Sequence, residues 1–332
     1  MPAATTPPAA GRNTLAVLLL IPVVAALALS VFAWPAARLA PRDLPVGVAG
    51  PAAAADAVER GLGRHEGAFE IHRYADAGAA RAAIEDRDVY GAVVVTPSGT
   101  ELLTASAASP VVAGLLREAV TAQAPAGAPV RVTDVVAAPA GDPRGAVLGA
   151  SLLPLALVGA AAGVATVLLG LRGAGAVATL VGAAALAGLV GAALADSWLG
   201  ALTGGWWAEA GVLGLTVLAI GSAFAGLATL LGKPGFGLAA ALTVLFGNAF
   251  SGMSSAPELL PTGVGALGQW LPPGAGGSAL RSVSAFDGAA AGRPLLVLSL
   301  WAVAGLAATA FGARRRRAEA APAPAQAPVP VG

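Results

Sequence analysis

"AVLGASLLPLALVGAAAGVATVLLGL" occupies residues 146–171 without one charged side chain. A helix that crosses a hydrocarbon layer roughly 30 Å thick needs about 20 such residues. This run is therefore a membrane span, and the rest of the chain is read outward from it. Toward the C-terminus the apolar character persists. Between residues 146 and 313 the only charged residues are Arg172, Asp196, Glu209, Lys233, Glu258, Arg281, Asp287 and Arg293. Toward the N-terminus it reverses, and residues 35–145 hold ten arginines and thirteen acids. The whole chain is 57% hydrophobic and 11% charged, against roughly 25% charged in soluble domains. One part of this sequence is written for lipid and another for water.

Five further segments join the first: 14–34, 174–195, 207–231, a short one at 236–250, and 294–313. The expected fold is an α-helical integral membrane protein with six transmembrane helices. An α/β extracytoplasmic domain, residues 35–145, is inserted between helices 1 and 2. A cytoplasmic tail (1–13) precedes the first span. Residues 146–313 form a five-helix membrane domain, and a basic, then Pro/Ala-rich cytoplasmic tail (314–332) ends the chain. Lys and Arg in short loops face the cytoplasm. Arg12, Arg172, Lys233, Arg314, Arg315, Arg316 and Arg317 fall on one side, against Arg281 and Arg293 on the other. Both termini are thus expected in the cytoplasm, with the lipid bilayer of the cytoplasmic (plasma) membrane as partner. Trp198, Trp206 and Trp207 fall at the outer interface, where indole rings settle. Glu209, in the first turn of its span, reads as a rim residue favoured by the helix dipole. A rival reading makes residues 1–34 a cleaved signal peptide with "WPAARLA" near the cleavage site; retention is preferred because the apolar run is longer than an ordinary signal core. The pair Gly159 and Gly163 has the spacing that permits close helix packing.

Inside 35–145, strands and helices alternate. "LPVGVAG" (44–50), "AFEIHRY" (68–74), "YGAVVVTP" (90–97), "TELLTAS" (100–106) and "VRVTDVVA" (130–137) read as strands. "AAADAVERGLG" (53–63), "DAGAARAAIEDRD" (76–88) and "PVVAGLLREAVTAQ" (110–123) read as helices. That order predicts a small α/β layer.

The chemistry-bearing residues are sparse. With no cysteine, disulfides and thiolate chemistry are excluded. His65 and His72, with Glu66 and Glu70 between them, would have to converge across a glycine-containing turn to hold a metal, so no metal or other cofactor is expected. "GLATLLGKPG" (226–235) has the wrong spacing for a phosphate loop, and Pro234 stands where a Mg²⁺-binding hydroxyl belongs. The chain carries no catalytic set and no ATPase of its own. Four arginines directly after an apolar helix mark a membrane face rather than a nucleic-acid site.

The layout of one span, a large outer domain and five more spans resembles the type-two ABC export permeases, and more closely their phage-infection-protein-like branch in high-GC bacteria. The stretches that carry the resemblance are "LPVGVAGP" (44–51), "AARAAIEDRDVYGAVVVTPSGTELLTASAASP" (79–110), "VTDVVAAPAGDPRG" (132–145) and "GNAFSG…APELLP…LGQWLPPGAGGSALRSVSAFDG" (247–288). It covers about residues 12–312. The resemblance implies a homodimer that exports an amphiphilic or lipid-like solute with a separate ATPase subunit. It also implies that the polar, proline-broken segment 251–293 helps close the outer mouth of the pathway.

Leu280, Val283 and Phe286 share one face of that segment, as in a helix lying in the membrane interface. A re-entrant element and a loop resting on the bilayer are the two forms open to it. The residues expected to act there are Asn248, Ser251, Pro257, Glu258, Pro272, Pro273, Gly274, Arg281 and Asp287, with Arg281 and Asp287 clamped as an ion pair. The chain departs from the pattern at two places. "MPAATTPPAAGRN" (1–13) is proline-rich and not expected to be helical, and the links between spans on the cytoplasmic side, "RG" (172–173) and "GKPG" (232–235), leave little for an ATPase to grip. Two other readings stay open: a non-transporting envelope protein whose outer domain binds a wall component, a partner or a phage, and, ranked last, a membrane enzyme.

Overall fold

The computed structural model describes residues 8–97, 99–123 and 130–319. Helix α1 (Pro8–Ala36) leads into β1 (Leu44–Ala49), α2 (Ala52–Leu62), β2 (Phe69–Tyr74), α3 (Ala77–Glu85), β3 (Gly91–Thr96), β4 (Gly99–Thr104), α4 (Pro110–Gln123) and β5 (Arg131–Asp134). The second half holds α5 (Ala146–Leu168), α6 (Gly173–Ala192), α7 (Trp206–Leu231), α8 (Lys233–Ala239), α9 (Gly247–Ala249), α10 (Val264–Gly268), α11 (Pro272–Ala285) and α12 (Gly292–Glu319). Two π-helical stretches, Ala193–Trp198 and Ala240–Phe246, prolong α6 and join α8 to α9.

Among the described residues, five helices are long and apolar enough to cross a membrane: Val17–Ala36, Ala146–Leu168, Gly173–Trp198, Trp206–Leu231 and Gly292–Gly312. The segment expected as a sixth span is built from α8, the π-helical stretch and α9, of seven, seven and three residues. Together they reach only the short end of the roughly 17–25 residues that cross a hydrocarbon layer, and the helix stops at Phe250. The N-terminal tail departs from expectation in the other direction. Helix α1 already begins at Pro8, because proline is tolerated in a first turn, where its missing N–H has no partner to lose.

The strands form one sheet in the order β2-β1-β3-β4-β5, antiparallel only between β3 and β4. Right-handed crossovers dictate where the helices go. β1 to β2 and β2 to β3 move in opposite directions across parallel strands, so α2 and α3 cover opposite faces. β4 to β5 moves away from β1 on a reversed strand, which returns α4 to the face of α2. The packing agrees: Leu44, Val46, Val48, Val93 and Leu102 meet α2 and α4 on one face. On the other face, Ala49, Ala92, Val94 and Leu103 meet Ala80, Ala83 and Ile84 of α3.

Neither face is closed by the sheet unit alone. Ala256 and Leu259, more than a hundred residues downstream, are buried in the first cluster, and Phe286 is buried in the second. The entering chain is also stitched to that distant segment, with Ala40 N–H donating to Leu259 O and Arg42 N–H to Glu258 O, both at 3.0 Å. The polar, broken segment is thus the platform on which the α/β unit sits.

Helix α11 is the main correction to the sequence reading. Every residue from Pro272 to Ser282 is buried, where a helix lying in the interface would keep one face wet. It is enclosed because α5, α7 and α12 pack against it while Arg87 and Phe286 bind it to the sheet unit.

Helix α7 is the centre of the bundle, flanked by α5, α6 and α12. Small residues allow the approach. A Cβ on Gly163 would fall 2.3 Å from Gly221 O of α7, and one on Gly305 of α12 would fall 2.4 Å from Ser222 C. Helix α1 stands apart, with Leu18, Leu19, Ile21 and Leu27 all exposed. Chain direction sorts the ends. The turn after α6 reaches α11, where Thr203 N–H donates to Ser284 Oγ at 3.1 Å. Arg172 between α5 and α6, Lys233 after α7, and the C-terminal turns of α12 with Arg314–Arg317 lie at the opposite end. The side chains of Arg12 and Arg314–Arg317 lie outside the described residues.

Candidate functional site

Where the sheet unit meets its platform, a cavity of about 610 Å³ remains. Local backbone chemistry sets its roof. Helix α3 begins at an Asp76 cap whose carboxylate accepts from Ala79 N–H at 2.9 Å, and it ends in a turn that places Arg87 at φ 65°. That turn aims Arg87 downward. Its Nη1 donates to Ser278 O at 3.1 Å and to Ser282 Oγ, and its guanidinium lies over the Phe286 ring at 5.2 Å. Tyr90, immediately before β3, donates from its hydroxyl to Glu258 Oε2 at 2.7 Å.

The floor comes from the platform. Arg281 projects from α11 and is 5% exposed. Its Nη2 donates to Met253 O at 3.2 Å, while its Nε has no hydrogen-bond partner. Gln269 is held at both ends, Nε2 donating to Ser251 O at 2.9 Å and Oε1 accepting from Ser278 Oγ at 2.6 Å. At the mouth, Arg293 stacks over Trp270 at 5.2 Å, beside the first turn of α12. Gly292, Arg293 and Pro294 of that turn also line the cavity.

The electrostatics are unbalanced. Three guanidinium groups face one carboxylate, and none of them forms an ion pair within 4 Å among the described residues. Burial lowers the Arg87 guanidinium from its ordinary value. Burial, followed by the charge of Arg87, lowers Arg281 to about 10. Both remain cations at neutral pH. Tyr90 is shifted upward by burial and then by the charge of Glu258, so it stays a hydrogen-bond donor.

Two further spaces adjoin this one. A narrow neck of about 40 Å³ is bordered by Arg281, Leu148 and Leu202. Leu148 and Leu202 also border an almost wholly apolar groove of about 670 Å³ between α5 and α6, reached by Leu280. Adjacent residues of α11 therefore serve opposite chemistries, Arg281 the polar cavity and Leu280 the apolar groove.

Of the residues expected from the sequence, Pro257, Glu258 and Arg281 line the polar cavity. Ser251 turns back to donate to Asn248 O at 2.8 Å, and Asn248 keeps a buried Nδ2 without a partner. Pro272 and Pro273 open α11, and Gly274 packs against Gly268 O. The expected clamp does not form. Arg281 is bonded to Met253 O, and Asp287 is exposed just past the end of α11 at φ 50°. Glu209 lies in the first turn of α7 and is fully buried there. The turn before α7 folds over it, and Gly204 N–H donates to its Oε1 at 2.8 Å. Trp206 donates to Ser197 Oγ at 3.2 Å and meets Trp207 edge-on, with Trp207 exposed. Arg172 and Lys233 are exposed at the far end of the bundle. His72 faces Glu70 at 3.5 Å, and His65 packs edge-on against Phe69.

Sequence reasoning missed Arg87, Tyr90, Gln269, Ser278 and Ser282 as site residues. The one available signal was "EDRDVYG" (85–91), a turn that sets an arginine and a tyrosine beside a largely buried strand. No family model, curated protein or solved structure matches the chain.

Proposed function

We propose that the protein is a permease-like subunit of a bacterial cytoplasmic membrane that exports an amphiphilic or lipid-like solute, as a homodimer working with a separate ATPase. The observation that carries this reading is the row of spaces along α11. A polar, cationic cavity shares Arg281 with a neck, and the neck shares Leu148 and Leu202 with an apolar groove. A solute with a charged head and an apolar chain matches that sequence of environments. The gathering of Arg172, Lys233 and Arg314–Arg317 at the end away from the sheet unit supports a cytoplasmic assignment for that end and an outer one for the α/β unit.

A second reading, a non-transporting envelope protein, is favoured by one feature. The connection from α5 to α6 is a four-residue turn, 169–172, and that from α7 to α8 is Gly232 alone, which offers little surface to an ATPase. Purification from the native membrane in mild detergent, with co-purifying chains identified by mass spectrometry, separates the two. A stoichiometric ATPase is the expected result. Its absence in several detergents, together with unchanged export of lipid-like solutes from cells lacking the protein, would overturn the permease reading.

A further inference from the structure

We propose that the cavity bounded by Arg87, Arg281 and Arg293 is a binding site for a phosphate group carried on a hydroxyl-bearing headgroup. The inference deepens the amphiphile reading and rests on it only for the source of that phosphate. A volume of about 610 Å³ is far larger than one ion requires and lies in the range of small-molecule pockets, roughly 300–1,000 Å³.

Three features point to an anion. Arg281 is a buried cation that lines the cavity and has no ion-pair partner among the described residues, and a buried charge left uncompensated is costly unless a ligand supplies the counter-charge. Arg87, bonded to Ser278 O and Ser282 Oγ on the same helix as Arg281, adds a second cation to the lining, so an anion there is attracted by both charges. Arg293, in the first turn of α12, brings a third guanidinium group to the same space. Guanidinium forks match the oxygen geometry of phosphate.

Not all of the lining is cationic. Tyr90 and Glu258 present a hydroxyl and a carboxylate, a pair suited to the hydroxyls of a polyol rather than to a second anion.

The test uses the full-length protein. In lipid nanodiscs, retention of phosphatidylglycerol against phosphatidylcholine is followed by native mass spectrometry. In detergent, glycerol 3-phosphate and inorganic phosphate are titrated with thermal stability as the readout. Wild type is expected to prefer phosphatidylglycerol. Arg281→Gln should weaken that preference by about tenfold or more, the loss expected when a charge-assisted hydrogen bond is removed, with Arg281→Lys intermediate. Arg293→Gln alters an exposed side chain, so it keeps the test open if the Arg281 variants do not fold; it should weaken binding about threefold.

If glycerol 3-phosphate binds in an Arg281-dependent way and the lipid does not, the phosphate site stands and the amphiphile reading falls. Equal binding by wild type and the folded variants would overturn the site itself, even if an exported lipid were found.

Discussion

Asp287 sits one residue beyond the helical hydrogen bonding of α11, where Phe286 N–H and Gly288 N–H both return to Ser282 O. Its φ of 50° is a left-handed conformation that Asp tolerates better than most residues and that glycine adopts freely. Its role is to end a helix. Asp287→Gly is expected to leave the thermal midpoint unchanged or raise it, and Asp287→Ala to cost about 1 kcal/mol; an equal loss with Gly and with Ala would restore an ionic role. Asp142 shows the same logic at a helix start. It is buried, and its carboxylate accepts from Ala146, Val147 and Leu148 N–H at 2.7, 2.9 and 3.3 Å. It thereby satisfies donors that α5 cannot satisfy for itself. Asp142→Ala should cost about 0.5–2 kcal/mol, with Asn retaining part of it, read as a lowered unfolding midpoint in detergent. "PAGDPRG" looked like a plain linker because nothing local says that its acid folds back.

At the level of elements, the α/β unit was readable strand by strand. Its central strands are short runs of small and branched apolar residues and its helices carry one apolar face, so pattern and propensity agree. Platform helix α11 was not readable. Its sequence, rich in Pro, Gly and Ser, has too little apolar surface to declare burial, and it is buried because two separate units close on it. Leu259 illustrates this most plainly. It is 1% exposed within a core whose other members, apart from Ala256, lie between residues 44 and 120. Leu259→Ala is expected to cost about 2–5 kcal/mol, and the damage should appear in the remote α/β unit as faster proteolysis at its α2 and α4 helices. Cleavage confined to 251–268 would contradict the shared core. In the bundle, Gly163→Leu must drive a side chain into the backbone of α7 at Gly221. Overpacking of this kind costs about 1–3 kcal/mol or more and should lower the yield of folded protein in detergent, whereas Gly211→Leu, at an exposed position of α7 with open space around it, should not.

On the scale of the whole molecule, the sheet unit and the helical body are one folding problem. Excised residues 35–145 would lose Ala256 and Leu259 from one face and Phe286 from the other. They would also lose the backbone hydrogen bonds at Ala40 and Arg42. The isolated fragment is therefore expected to melt well below the same unit in the full chain, or to expose enough apolar surface to bind a hydrophobic dye. A fragment as stable as the intact unit would show that the platform adds nothing to it. The same dependence explains the long polar interruption before the last span: it had to supply core residues to one solvent's domain while lying against the other's.

Lipid-facing and water-facing regions were determined by the sequence alone, because each solvent selects composition locally and continuously along the chain. So were the strands and helices of 44–134, because hydrophobic period is a property of neighbouring residues. The cavity was decided only by tertiary structure. Tyr90 meets Glu258 across 168 positions and Arg87 meets Ser282 across 195. The charges of Arg87 and Arg281 become uncompensated only when burial by another unit removes the water that would otherwise have screened them.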